Sequence, residues 1–170
     1  DRTEFLLLDA ESIAFPESSF DKAVSLCVME HLGRDEHVMT SVARSLTPGG
    51  RFVFSADSLS HPGVTPAERE RHRTRYAVNT FYTIDSVRQK LARAGFRMDD
   101  ARYILSSPGV LTLFRLSWKL DDLGGAAAGL RPLGYLVLGA VWFVTSLLPG
   151  YSRGASTGGM TLLVRATKAA

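Results

Sequence analysis

Apolar and polar residues fall along this chain in blocks. Phe5–Leu8 is a short continuous apolar run that stops at Asp9-Ala10-Glu11, the pattern of a strand buried on both faces. A loop with Pro16, Ser18 and Ser19 leads through Phe20-Asp21 to a second such run, Ala23–Val28, with Glu30-His31 just beyond its end. Val38, Met39, Val42, Ala43 and Leu46 then share one face of a helix. Thr47-Pro48-Gly49-Gly50 stops that helix, because proline and paired glycines cannot continue it. Arg51–Ala56 supplies a third strand. Strands alternating with a helix at this spacing predict an α/β fold with a parallel sheet.

The next stretch, Asp57 to Asn79, is polar and holds the charged run Ala67–Arg75. Pro66 suits the first turn of a short helix, with Glu68 and Glu70 near its positive end. Two readings stand for it: a solvated helix, or a lid whose arginines meet an acidic substrate or a phospholipid surface. Thr83 is a candidate N-cap with Asp85 in the first turn, and Ile84, Val87, Leu91 and Ala94 form an apolar stripe. Gly95 followed by Phe96 marks a left-handed helix end. Ala101–Ser106 reads as the following strand and Gly159–Thr167 as the last one.

Between those two strands lies an insertion, residues 108–157, predicted to be helical. Val110–Leu120 is apolar with Arg115 and Lys119 four apart, as in an amphipathic helix. Leu133–Leu148 is an uncharged apolar run bounded by Arg131-Pro132 and Pro149-Gly150. A membrane span needs about 20 apolar residues, and a single crossing would leave the flanking strands, which must pair, on opposite sides of the bilayer. The run therefore either packs as a lid or oligomer contact, or lies in a membrane interface with Trp118, Tyr135, Trp142 and Tyr151 as anchors.

Length and charge narrow the classes. The chain has 170 residues, enough for one domain with a real core. Its net charge of +3 is too mild to point to nucleic acid. The one cysteine, Cys27, rules out an internal disulfide, fits a reducing, cytoplasmic compartment, and is read as a packing residue in a buried strand. His31, His37, His61 and His72 show no metal-ligand spacing, and no catalytic triad is apparent.

Asp9-Ala10-Glu11, Phe15-Pro16, Ser19-Phe20-Asp21, Glu30-His31-Leu32, Ala43-Arg44-Ser45-Leu46 and Pro48-Gly49-Gly50 follow one another in an order and spacing that resembles the class I, Rossmann-like S-adenosylmethionine-dependent methyltransferases. The phrase from Tyr82 to Phe96 resembles the last helix of that group before its C-terminal antiparallel hairpin. The resemblance implies residues 1–107 and 158–170 in one methyltransferase domain, with 108–157 inserted in the hairpin. It also implies two strand–helix units ahead of Phe5, one bearing the glycine-rich cofactor loop, or about 60 residues at ~30 per unit. No such loop is present here, so the expectation is a C-terminal portion of the domain.

The resemblance further implies the cofactor residues. Asp9 would accept from the adenine amino group, the Ala10 N–H would meet a ring nitrogen, and Glu11 would lie beside them. Cys27, Val28 and Met29 would pass the methionine and ribose portion of S-adenosylmethionine, largely through backbone, off the carboxyl end of a strand. A turn or cap for the following loop is the other reading of Asp9. His31 is a candidate general base for a hydroxyl or phenol, or else a residue that orients cofactor or caps a helix. Tyr76, Tyr82 and His72 are weaker candidates for the acceptor side. The expected function is methyl transfer to a small, lipophilic acceptor, in the cytoplasm, with peripheral membrane contact through 133–148 as one option. The rival is a non-catalytic binding or membrane-docking module. A nicotinamide-dependent enzyme is disfavoured, since no Tyr–Lys pair is apparent.

Overall fold

A computed structural model describes residues 3–12, 14–146 and 157–169. In chain order these residues form β1 (Phe20–Leu26), α1 (Asp35–Ser45), β2 (Leu46–Asp57), α2 (Pro66–Tyr76), α3 (Ile84–Arg93), β3 (Phe96–Ile104), α4 (Pro108–Asp121), α5 (Arg131–Ser146) and β4 (Thr161–Lys168). The sheet runs β1-β2-β4-β3. β1 and β2 are parallel, whereas β4 runs antiparallel to both β2 and β3. The α/β class and the antiparallel closing hairpin are as expected.

The apolar stripe of α1 supplies Val38, Met39 and Ala43 to the core, and that of α3 supplies Val87 and Leu91. Between them stand Phe52 and Phe54 of β2, stacked with centroids 4.9 Å apart, and Leu162, Val164 and Ala166 of β4. Each helix begins where local chemistry allows. Thr65 and Glu68 form a capping box at α2, with Pro66 in its first turn. Thr83 and Ser86 do the same at α3, and Gly95 ends that helix at φ +86°.

β2 starts five residues before the expected Arg51. Thr47-Pro48-Gly49-Gly50 does stop α1, but it is drawn into the strand as an irregular first stretch, where the register with β1 shifts between Phe20 and Lys22. Gly49 takes φ +76° there, a value glycine adopts without strain. β3 likewise begins at Phe96 rather than Ala101, because Phe96 already pairs with Lys168.

Two expectations at the N-terminal side are overturned. Phe5–Leu8 is not a strand; Phe5 and Leu7 lie fully in solvent. A strand exists only where a neighbour completes its ladder, and no described strand lies beside this one. The second run forms β1 at Phe20–Leu26 rather than Ala23–Val28, and it is an edge strand, not one buried on both faces. Val24 and Leu26 are exposed because only β2 flanks them. Cys27 follows the strand, exposed and at φ +50°, so it is not a packing residue.

The insertion is helical as far as it is described. α4 lies against α2: Trp118 packs edge-on to His72 at 5.9 Å between centroids, and Arg115 Nε donates to Glu68 Oε1 at 2.6 Å. α5 packs on the other side of α4. Gly134 meets Leu120, where an added Cβ would sit 2.6 Å from a Leu120 methyl, and Trp142 meets Phe114 at 5.7 Å. Leu147 and Leu148 of the expected apolar run fall outside the described residues, as does Tyr151. The stretch Ala127–Ser146, 20 residues, is long and apolar enough to cross a membrane by length and composition.

Candidate functional site

In an open α/β sheet the ligand region lies off the carboxyl ends of the parallel strands, here Leu26 of β1 and Asp57 of β2. The chain leaves β1 through Cys27, whose N–H donates to the Ser55 carbonyl at 3.0 Å and lies 3.2 Å from Ser55 Oγ. Val28 is exposed, Met29 is buried, and a short helical turn, Met29–His31, follows. That turn is held from below by Tyr82, whose hydroxyl lies 3.3 Å from the Met29 carbonyl and donates to Asp35. Lys90 completes the pair as the cation on Asp35.

The Asp9–Glu11 loop reaches the same end of the sheet. Asp9 Oδ1 accepts from the Glu11 N–H at 3.0 Å, the local turn that was one of its two readings. Glu11 does not lie free beside it. Its carboxylate accepts the N–H groups of Gly33 and Arg34 ahead of α1, at 2.5 and 3.0 Å, and pairs with the Arg34 guanidinium. These bonds, the Arg34 N–H first among them, hold the Glu11 carboxyl below its ordinary value. Through them the loop is tied to the segment that follows β1.

Ala10, Val28 and Met29 thereby line one cleft of about 360 Å³, whose other walls include Phe15, Leu32 and Phe52. Its walls are overwhelmingly apolar. The volume sits at the small end of the ~300–1,000 Å³ common for ligand sites, enough for a flat heteroaromatic base. Asp9, Glu11 and Cys27 stand outside that lining, as does His31. By size and apolar lining the cleft can take a flat ring, while the polar groups expected at an adenine edge lie outside it.

His31 is exposed, and its Nδ1 lies 3.3 Å from the Ala77 carbonyl. A carbonyl oxygen only accepts, so Nδ1 is the donor in this contact. Its own carbonyl accepts from Asn79 Nδ2 at 2.6 Å. The weaker acceptor-side candidates differ in burial, with Tyr76 exposed and Tyr82 and His72 buried. Tyr76 donates to Asp121 at 2.8 Å, and burial together with that carboxylate pushes its phenol up to about 12. Tyr82 is wholly buried, so it supports the site rather than facing an acceptor.

Sequence reasoning missed a buried acid–base cluster beside the Met29 turn. Glu30 is 1% exposed, its Oε2 has no hydrogen-bond partner among the described residues, and burial raises its carboxyl above the ordinary value. Asp57, at the end of β2, is its charged neighbour, and His72 of α2 binds Asp57 from the far side. No spacing announces this cluster. Only the return of α2 over the strand end brings His72 to Asp57.

Residues 1–54 match the family model described as a methyltransferase domain. The 27-O-demethylrifamycin SV methyltransferase of Amycolatopsis mediterranei (strain S699) is 31% identical over 104 residues. That match covers 59% of this chain but 38% of the relative, so the chain spans well under half of that enzyme. Among solved structures, phosphoethanolamine N-methyltransferase 2 of Haemonchus contortus, in complex with S-adenosyl-L-methionine, superposes with a TM-score of 0.60 at 16% identity. It covers 95% of this chain and 36% of its own. Over part of its length the chain is thus similar to S-adenosylmethionine-dependent methyltransferases. The same fold, at TM-score 0.56 and 17% identity over 98% of this chain and 56% of its own, is found in the cyclase SpnF. Fold likeness at this identity therefore speaks to architecture and not to the reaction.

Proposed function

We propose that the protein to which this chain belongs transfers a methyl group from S-adenosylmethionine to a small, lipophilic acceptor. The observation that carries the reading is the meeting of Ala10, Val28 and Met29 in one apolar cleft that runs along β1 and α1 and reaches the carboxyl end of β1. When bound, the cofactor supplies an electrophilic methyl on a sulfonium. The chain's role is to bind, orient and keep water out. The Asp9–Glu11 loop would hold the adenine edge, and the backbone after β1 would pass the ribose.

In this reading His31 would take a proton from an acceptor hydroxyl. The lone free thiol of Cys27 supports a reducing, cytoplasmic setting.

Titration calorimetry of the complete protein with S-adenosylmethionine tests the reading. Asp9→Ala should weaken binding by about 1–3 kcal/mol, the loss of a charge-assisted hydrogen bond. Unchanged affinity removes Asp9 from the site. With 27-O-demethylrifamycin SV as the probe acceptor, His31→Gln should lower kcat and leave cofactor affinity alone. A second reading, a non-catalytic or differently catalytic member, draws on the fold shared with SpnF. It wins if the complete protein binds no S-adenosylmethionine.

A further inference from the structure

The arginines of α2 do not all find acids. Arg71 and Arg75 pair with Asp122, just past α4, and Arg75 also with Asp121. Arg73 Nε lies 3.4 Å from Glu70. Arg69, half-buried, has no carboxylate partner among the described residues; its guanidinium lies over the Phe81 ring, 4.6 Å from the centroid. Arg73 lies over the same ring at 4.8 Å. Of the acids that flank Arg69 in the helix, Glu68 is taken by Arg115 and Glu70 by Arg73.

Spacing and a turn explain how two cations come to share one ring. Arg69 and Arg73 are four apart on α2 and so stand side by side. Ala77 ends that helix in the left-handed region, at φ +51°, and the chain turns back until Phe81 meets both side chains. Phe81 is buried, so its ring is a fixed platform. The ring face attracts each cation, but two like charges on it repel, and Glu70 is bonded to only one of them. An anion set against the pair would offset that repulsion. Guanidinium presents the planar fork of donors that carboxylate and phosphate accept.

The place matters as much as the charge. The stretch 77–80, which links α2 to Phe81, also frames His31. Arg73 Nη1 donates to the Val78 and Asn79 carbonyls at 3.2 and 2.9 Å, and His31 Nδ1 donates to the Ala77 carbonyl at 3.3 Å. Imidazole and guanidinium thus sit on consecutive carbonyls of one short stretch. The Thr80 N–H holds the Glu30 carbonyl beside them at 3.1 Å. Arg69, one turn back on α2 and on the same ring, therefore borders the region off the carboxyl ends of β1 and β2.

We propose that Arg69, with Arg73 beside it, binds an anionic group, a carboxylate or a phosphate, carried by the acceptor. Arg69 would act on acceptor binding and not on methyl transfer itself. That the ligand is an acceptor rests on the transferase reading; that the site takes an anion does not.

The test is titration calorimetry of the complete protein with benzoate, phenyl phosphate and neutral benzamide, and separately with S-adenosylmethionine. At least one of the two anions should bind about tenfold tighter than benzamide, the scale of one charge-assisted hydrogen bond. The tighter of the two names the anion. Arg69→Gln should remove that preference while benzamide and S-adenosylmethionine bind as before, and Arg69→Lys, which keeps the charge, should retain part of it. The proposal is overturned if wild-type protein binds the three probes alike or binds none of them, or if Arg69→Gln keeps the preference. Its failure is distinct from that of the transferase reading. Protein that binds S-adenosylmethionine without preferring anions removes only the anion site, whereas an Arg69-dependent preference in protein that binds no S-adenosylmethionine keeps the anion site and removes the transferase.

Discussion

His72 Nε2 lies 2.7 Å from Asp57 Oδ2, joining the middle of α2 to the last residue of β2. The imidazole is buried, ringed by Tyr76, Phe81 and Trp118. One contact therefore ties the sheet's carboxyl end to α2 and, through Trp118, to the insertion.

His72→Ala should destabilise the protein by about 2–3 kcal/mol, since Asp57 loses its partner and the aromatic ring leaves a gap under Trp118. His72→Gln, which keeps a donor, should cost less. Urea unfolding followed by tryptophan fluorescence measures both, and equal costs would show that packing rather than the hydrogen bond dominates.

Glu30 gives a prediction of opposite sign. Its folded-state carboxyl is raised by burial, so its contribution to stability is complete below the ordinary carboxyl range and is lost as pH rises through the folded value. Glu30→Gln should therefore stabilise the protein near neutral pH and do nothing in acid. Melting curves across that range would show the gain disappearing on acidification; a uniform loss instead would mean that the carboxylate has a partner the fold needs.

Glu68 titrates at the contact between α2 and α4. The Arg115 side chain, then the Thr65 cap, hold its carboxyl at about 2, down from 4.5. A lowered value contributes stability above 4.5 that is lost as pH falls toward 2. Acid should loosen α4 from α2 in that window, and Glu68→Gln should flatten the slope. Trp118 fluorescence reports the separation directly.

Gly158 closes the path from the insertion back to β4. It sits at φ +152°, and a Cβ there would run into the Ser60 carbonyl. Gly158→Ala should cost about 1–3 kcal/mol through backbone strain. Thermal unfolding checks it, with Gly124→Ala, which faces open space, as the control.

Local chemistry was enough to place much of this fold. The α1 stripe from Val38 to Ala43, the Thr65 and Thr83 caps and the Gly95 stop each depend on residues within one or two helical turns, and each stands where the sequence puts it, whereas Leu46, expected on the same helix face, begins β2. The closing hairpin was legible too, through a family pattern rather than through physics of its own.

Tertiary structure alone decided the rest, because burial and pairing depend on neighbours that are distant in sequence. Phe5–Leu8 has a strand's composition and no ladder to join; the run before Cys27 became an edge, leaving that thiol in water. Of the residues expected at the cofactor, Ala10, Val28 and Met29 meet in the cleft, whereas Glu11 is taken up by Gly33 and Arg34. His72 finds Asp57 only because α2 folds back over β2, and hydropathy could mark α5 as apolar but not which of its faces α4 would cover.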